Sequence, residues 1–539
     1  MTKTIVIDTA LGKIRGKVAA NYLGDKYYSF QGISYAKAPV GKLRFKAPVP
    51  IDAWNGELNA TKQGQACPSL NLLFKIAEGN EDNCLNLNIN IKELPEPAVP
   101  LKPVMVWIHG GGFVVGSNSS TVYDPEYLMT ENVVQVSINY RLGLLGFLSL
   151  EDESLGVPGN AGFKDQVMAL RWVKNNISSF GGNPNNVTVY GQSAGAASVQ
   201  YLMLSPLAEG LFHKAIMQSG GFLCPWATKG GGEKALAKCL NIEENDEANL
   251  LEVLQNMTTK EVLNIQTKIP DRTVAAFRRP FGAVIEKPSD QAFLSDDPLQ
   301  LLKSGKYKKI PIIIGATSNE AAFYSLFKQF DTSNWKFDST MEIPWDLKIS
   351  LNDAEVAEII TKIYEFYNLK EDMSEENTYD LKSDNFIVHS NHRFLQYYLH
   401  SSNQPVYCYT FSFVGIYNHS KYISCSNYPK TYLSLRYLAS LCGENYIGNI
   451  LSKMAFATGF RKVSGSAHTD ELYYLFRCVL NGQMEPDSRE EKTMKRLVKL
   501  WTNFAKYDNP TPENDEDGLG IRWIPAEKKI IIFWILRMS

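Results

Sequence analysis

Short apolar runs recur along the chain, each stopped by glycine or asparagine, and several lead into residues spaced as on a helix. Val104–Ile108 runs into His109-Gly110-Gly111-Gly112-Phe113, and Val134–Ile138 into Asn139-Tyr140-Arg141. Val187–Tyr190 and Ile310–Ile314 read as further strands, and the N-terminus alternates like a first one. Between them, Val167, Leu170, Val173, Ile177 and Phe180 mark one face of a helix over Lys164–Phe180, stopped at Gly181-Gly182-Asn183-Pro184. Ala354–Tyr367 repeats the helical spacing behind an N-cap at Asn352 or Asp353. Met494, Leu497, Val498, Trp501 and Phe504 predict a helix that starts near Asp487-Ser488 and ends before Asn509-Pro510. Strand, tight turn and amphipathic helix in repetition predict an α/β architecture with a mixed, mostly parallel sheet.

Composition narrows the function. The chain has 539 residues, 44% hydrophobic and 21% charged, which is globular and excludes disorder or coiled coil. Lys plus Arg number 55 against 57 Asp plus Glu, a net charge of -2. Nucleic-acid binding therefore lacks its main driving force. The apolar run Ile530–Leu536 is far shorter than the ~20 residues a spanning helix needs. The first residues hold no apolar stretch of signal-peptide length, so the expected location is cytoplasmic. Eight cysteines are too sparse for a disulfide scaffold, and none forms a Cys-x-x-Cys pair, so no metal site is expected.

Gly191-Gln192-Ser193-Ala194-Gly195 follows a predicted strand and precedes a helix-forming run. Gly-x-Ser-x-Gly in that setting turns the chain sharply and lifts the serine above the sheet edge, making Ser193 a candidate nucleophile. The free N–H groups at the start of the next helix favour a developing anion. His109-Gly110-Gly111-Gly112 can aim backbone N–H groups into a cavity with no Cβ in the way, and Ala194 N–H completes the donor set. The base should lie late and on a loop. Of the seven histidines, His468 sits in the small-residue turn Gly465-Ser466-Ala467-His468-Thr469-Asp470-Glu471, whereas His392 and His400 belong to a helical run. A carboxylate that orients the base should leave a strand end between the two, where Glu320 follows Ile312-Ile313-Ile314-Gly315.

These segments, in this order, resemble the carboxylesterase/cholinesterase family of α/β-hydrolases, from about residue 5 to about residue 510. Glu81-Asp82-Asn83-Cys84-Leu85-Asn86-Leu87-Asn88, Asn139-Tyr140-Arg141-Leu142-Gly143, Gly159-Asn160-Ala161-Gly162 and Asp165-Gln166 belong to the same resemblance, which is closest in look to the insect α-esterases. It implies one α/β-hydrolase domain over residues 1–539. The implied activity is hydrolysis of small-molecule carboxylic esters, with no cofactor and with phosphorylation of the serine by organophosphates. It implies the roles of Ser193, Glu320 and His468, the oxyanion donors Gly111, Gly112 and Ala194, and pocket positions at Trp226 and Phe281. It also implies ion pairs Arg44–Glu81 and Arg141–Asp165, and a disulfide Cys67–Cys84 that a cytosolic setting would tend to keep reduced.

The chain departs from the pattern at three places. Gln192 stands where most members have Glu, a form that resembles juvenile hormone esterases and keeps that substrate as a rival. Arg278 and Arg279 replace apolar residues, with snorkelling to the surface as the expected arrangement. The ending Glu527–Leu536 does not resemble the family's last strand and helix. A catalytically inactive esterase-like binding module is the rival from another class; such proteins usually lack one of the three catalytic residue types, all present here.

Overall fold

The computed structural model describes residues 3–70, 77–228, 231–269, 280–323, 343–348, 351–369, 378–425, 464–513, 519–527 and 533–536. Strands β1 (Thr4–Thr9), β2 (Gly12–Ala20), β3 (Lys26–Ser34) and β4 (Glu57–Asn59) open the chain, and β5 (Ser69–Leu70) and β6 (Ala77–Glu78) form a separate pair. Then come β7 (Asn86–Ile91), β8 (Lys102–Ile108), β9 (Val134–Ile138), β10 (Gly182–Gln192), β11 (Lys214–Gln218), β12 (Ile312–Thr317), β13 (Val406–Phe411) and β14 (Phe533–Leu536). They build a 12-stranded sheet in the order β1-β2-β3-β7-β9-β8-β10-β11-β12-β13-β14, with β4 on β2. From β1 to β9 the neighbours are antiparallel. From β9 through β8 to β14 every pair is parallel. The strand directions match the mixed, mostly parallel sheet expected of the sequence.

Alternation in β8 shows how the layers are filled. Val104, Val106 and Ile108 join one buried cluster with the helices Ala161–Asn176 and Ala194–Leu204, which lie on that face. Met105 and Trp107 join the other, with Leu497 and Trp501 of the helix Arg489–Tyr507. That helix starts where the sequence placed it: Ser488 Oγ accepts Glu491 N–H at 3.1 Å. Asn352 likewise caps Asp353–Phe366. His392 and His400 lie on the exposed side of the helix His389–Ser401.

Several boundaries move. The strand expected at Ile310–Ile314 runs over Ile312–Thr317, because Pro311 has no N–H to give a ladder. Val187–Tyr190 extends at both ends to Gly182–Gln192, with a register shift between Gly182 and Val187. At the C-terminus, Phe533–Leu536 pairs in parallel with Cys408–Phe411 as the sheet's last strand. Apolar β-branched and aromatic residues suit that position whether or not they resemble a family ending. Arg278 and Arg279 lie outside the described residues.

Both ion pairs form in the interior. Arg44 donates to Glu81 at 3.0 and 2.7 Å. Asp165 accepts from Arg141 Nε at 2.8 Å, Nη2 at 2.7 Å and the Arg141 backbone N–H at 3.0 Å. Cys67 and Cys84 are joined by a disulfide. Among the described residues, no helix is long and apolar enough to cross a membrane.

Candidate active site

The site lies where the parallel strands end, the usual place for chemistry in an open α/β sheet. Ser193 follows β10 with φ 57° and ψ -122°, a region costly for any residue with a Cβ. Its neighbours explain why the strain persists. A Cβ on Gly195 would lie 2.0 Å from Ile108 O, and one on Gly191 would lie 2.5 Å from Gly195 C. Only glycine lets strand and helix close so tightly around the serine. Ser193 N–H donates to Gln218 O at 2.8 Å, and a Cβ on Gly220 would fall 2.3 Å from Ser193 O, so the β11 end holds the turn from behind.

The glycine turn after β8 packs against this serine: a Cβ on Gly110 would sit 3.0 Å from Ser193 Cβ. Gly111 (φ 116°) and Gly112 (φ 60°) adopt left-handed backbone, and Gly111 O accepts from Val114 and Val115 N–H at 3.1 Å each. The N–H groups of Gly111, Gly112 and Ala194 carry no hydrogen bond among the described residues. His109 is fully buried, and that burial lowers its titration to about 4, keeping it neutral. Its Nδ1–H donates to Gly110 O at 2.8 Å and its ring stacks on Tyr140, which braces the turn.

His468 and Glu320 are 148 positions apart in sequence and meet at 2.5 Å, Nδ1 to Oε2. Glu320 is fully buried; its Oε1 accepts Thr317 N–H at 2.6 Å. The two loops are stitched together beside this contact: Asn319 N–H donates to Ser466 O at 2.9 Å, and Ser466 N–H to Ser318 Oγ at 3.0 Å. Asp470 holds the histidine turn, taking Ala467 N–H at 2.7 Å and Asn418 Nδ2–H at 3.0 Å. Burial pushes the Asp470 carboxyl up to about 7 and that of Glu471 up to about 8, Glu320 adding to the second through its charge. Glu471 accepts one amide hydrogen, from Gln218 at 3.2 Å.

The pocket candidates fall on adjacent segments. Trp226 is buried, donates Nε1–H to Phe386 O at 3.3 Å and lies 6.3 Å, ring to ring, from Phe113 of the glycine turn. A parallel bridge between Thr228 and Ala283 brings buried Phe281 alongside. Sequence reasoning did not find Asp470, Glu471, Asn418 or Gly220 as parts of the site. It saw Gln192 only as a departure from a motif, whereas the Gln192 amide contacts His468 at 3.1 Å. The acidic pair next to His468 in the chain was the one available signal. Among the described residues, no group of three His, Cys, Asp or Glu side chains is placed to hold a metal ion.

Known proteins are similar to this chain over nearly its whole length. Residues 3–529 match the model of the carboxylesterase family. Esterase FE4 of Myzus persicae is 32% identical over 96% of this chain and 86% of its own length. Juvenile hormone esterase of Tribolium castaneum is 32% identical over 95% of this chain and 84% of its own. The crystal structure of juvenile hormone esterase from Manduca sexta with OTFP covalently attached superposes with a TM-score of 0.81 at 29% identity, covering 99% of this chain and 95% of that one. The chain belongs to the carboxylesterase family.

Proposed function

We propose that Ser193 is the nucleophile of a two-step ester hydrolysis, with His468 as its base and Glu320 as the group that orients the base. The protein is a carboxylic ester hydrolase by family, and phosphorylation of the serine by organophosphates is a property of that family. The observation that carries the residue assignment is the short, fully buried contact between Glu320 Oε2 and His468 Nδ1, beside a serine held in strained backbone. Ser193 Oγ attacks the ester carbonyl carbon while its proton passes to His468 Nε2. The negative oxygen that forms is taken by the N–H groups of Gly111, Gly112 and Ala194, each donor of this kind being worth ~3–4 kcal/mol. The carbonyl re-forms, the alcohol leaves with the proton from Nε2, and an acyl ester remains on Ser193. Water, deprotonated by the same nitrogen, then releases the acid.

One α/β-hydrolase domain carries the whole reaction in this reading, with strands from both ends of the chain in one sheet in its support. Trp226 and Phe281 bound the acyl side, and dietary and xenobiotic esters are the substrate class. Juvenile hormone is the rival substrate, favoured by Gln192 and by two of the relatives. Comparing kcat/KM for juvenile hormone with that for 1-naphthyl acetate and butyrate separates the two. A hormone value orders of magnitude above both naphthyl esters overturns the general-esterase reading. The cytoplasmic location is tested by the thiol state of Cys67 and Cys84 in protein isolated from its source. The disulfide of this structure fits an oxidising compartment, so the cytoplasmic reading stands only if both thiols are found reduced there, and an intact disulfide contradicts it.

A further inference from the structure

His468 sits in a turn that carries backbone strain. Ala467, His468, Thr469 and Asp470 form the four residues of that turn, closed by Asp470 N–H donating to Ala467 O at 3.0 Å. Thr469, at its third position, has φ 77°. Positive φ there calls for glycine or asparagine, and for a β-branched residue it is an outlier. Such strain persists only where the surroundings over-determine the backbone. Asp470 does so from inside the protein. Its fully buried carboxylate reaches back across the turn: Oδ2 accepts Ala467 N–H at 2.7 Å and Asn418 Nδ2–H at 3.0 Å, and Oδ1 accepts Lys421 N–H at 3.2 Å. The 418–421 segment fastens the turn at two more points. Lys421 Nζ donates to Gly465 O at 2.7 Å, and the hydroxyls of Ser420 and Thr469 share a hydrogen bond.

We propose that Asp470 is a positioning residue for the reaction: it clamps the turn against the strain at Thr469 and so keeps the His468 ring seated on Glu320. The inference rests on the serine-esterase reading and deepens it. Asp470 acts through backbone on both sides of the imidazole, since Ala467 precedes His468 and Asp470 itself follows Thr469. Ala467 also forms a parallel bridge with Asn319, the residue before Glu320. The residue that Asp470 grips is therefore the one that ties the base to its carboxylate. With the clamp open, Thr469 relaxes toward negative φ, a rotation one residue away from His468 that carries the ring off Glu320. A misplacement of about 1 Å at a reacting group costs ~10²-fold in rate. Substrate contacts do not pass through this turn, so the loss falls on kcat.

The test is a double-mutant cycle of Asp470→Asn and Thr469→Gly, read as kcat and KM for 1-naphthyl acetate. Active sites are counted by organophosphate titration and folding is checked by circular dichroism. The assay runs at about pH 8, above the value of about 7 at which Asp470 titrates, so that the wild-type carboxylate is charged. Asparagine keeps the shape but turns an NH2 group toward at least one of the three N–H donors, which opens the clamp. In the Thr469 background kcat should fall about ten- to a hundredfold, with KM within about twofold of wild type. Glycine takes φ 77° without strain, so in the Thr469→Gly background the same change should cost about threefold or less. A kcat for Asp470→Asn within about threefold of wild type overturns the proposal, and so do losses in the two backgrounds that agree within about twofold, the mark of independent sites. Where Asp470→Asn alone does not fold, the double variant decides: recovered folding and kcat support the clamp, and an unfolded double variant contradicts it. Failure of the esterase reading looks different: wild type itself takes no label.

Discussion

Replacing Glu320 by Gln is the sharpest perturbation of the orienting carboxylate, because the change is isosteric and both carboxylate oxygens face a donor. Both carboxylate oxygens accept: Oε2 from His468 Nδ1 at 2.5 Å and Oε1 from Thr317 N–H at 2.6 Å. If the new NH2 group faces His468, Nδ1 must become the acceptor and the proton moves to Nε2. The ring then cannot take the Ser193 proton. If the NH2 group faces Thr317, two buried donors oppose each other, which costs about 1–3 kcal/mol. The first orientation wins and the wrong tautomer dominates. The negative charge that would stabilise imidazolium is lost as well. The same change of carboxylate to amide in a serine protease triad lowers kcat ~10⁴-fold, equivalent to ~5.4 kcal/mol. Here the expected loss in kcat on 1-naphthyl acetate is of that order, about 10³–10⁴. Glu320→Asp keeps the charge at a longer reach and falls between. Steady-state kinetics with titrated sites, beside circular dichroism to establish folding, read the effect. A Glu320→Gln enzyme within tenfold of wild type would refute the reasoning and free His468 from its dependence on this carboxylate.

Two further predictions concern stability. Asp165→Asn leaves the Arg141 charge buried without its partner, at a cost of about 3–5 kcal/mol. At ~2.1 cal/mol/K per residue, 539 residues give an unfolding entropy of ~1.1 kcal/mol/K, so Tm should fall by about 2.5–4.5 °C in scanning fluorimetry, and a fall below about 1 °C counts against the pair. Glu471 titrates at about 8 in the folded protein, far above the ~4.3 of an unfolded glutamate, so between those values only the native state keeps its proton. Its contribution is complete below the unfolded value and is lost as pH rises through the folded one. Glu471→Gln should accordingly flatten the decline of Tm between about pH 5 and pH 9, and parallel wild-type and variant curves would contradict this.

How much of this was legible depended on whether the determinant was local. The serine turn was readable because its glycines answer to contacts within a few residues of Ser193 and with the strand beside it. His468 was readable from the small residues around it. Glu320 was a plain loop glutamate until the family resemblance singled it out, since its pairing with a histidine 148 positions away leaves no local trace. The alternation in Asn86-Leu87-Asn88-Ile89-Asn90-Ile91 suggests a half-exposed strand, yet all six residues of β7 are buried. Its asparagines find partners inside: Asn88 Oδ1 accepts Gly32 N–H at 2.9 Å and Asn90 Nδ2–H donates to Gln135 Oε1 at 2.8 Å. Hydrophobic periodicity cannot distinguish a polar face paid off by side-chain partners from one bathed in water. The C-terminal strand left no signal of its partner for a related reason: parallel pairing with β13 depends on residues more than a hundred positions away.

The account's central claim is that Ser193 is an activated nucleophile. Intact-mass analysis after titration with a diethyl phosphate organophosphate, beside a Ser193→Ala control, tests it most directly. The account predicts stoichiometric addition of one diethylphosphoryl group to the wild type and none to the control. A natively folded wild type that takes no label, or a control that labels equally, would contradict it.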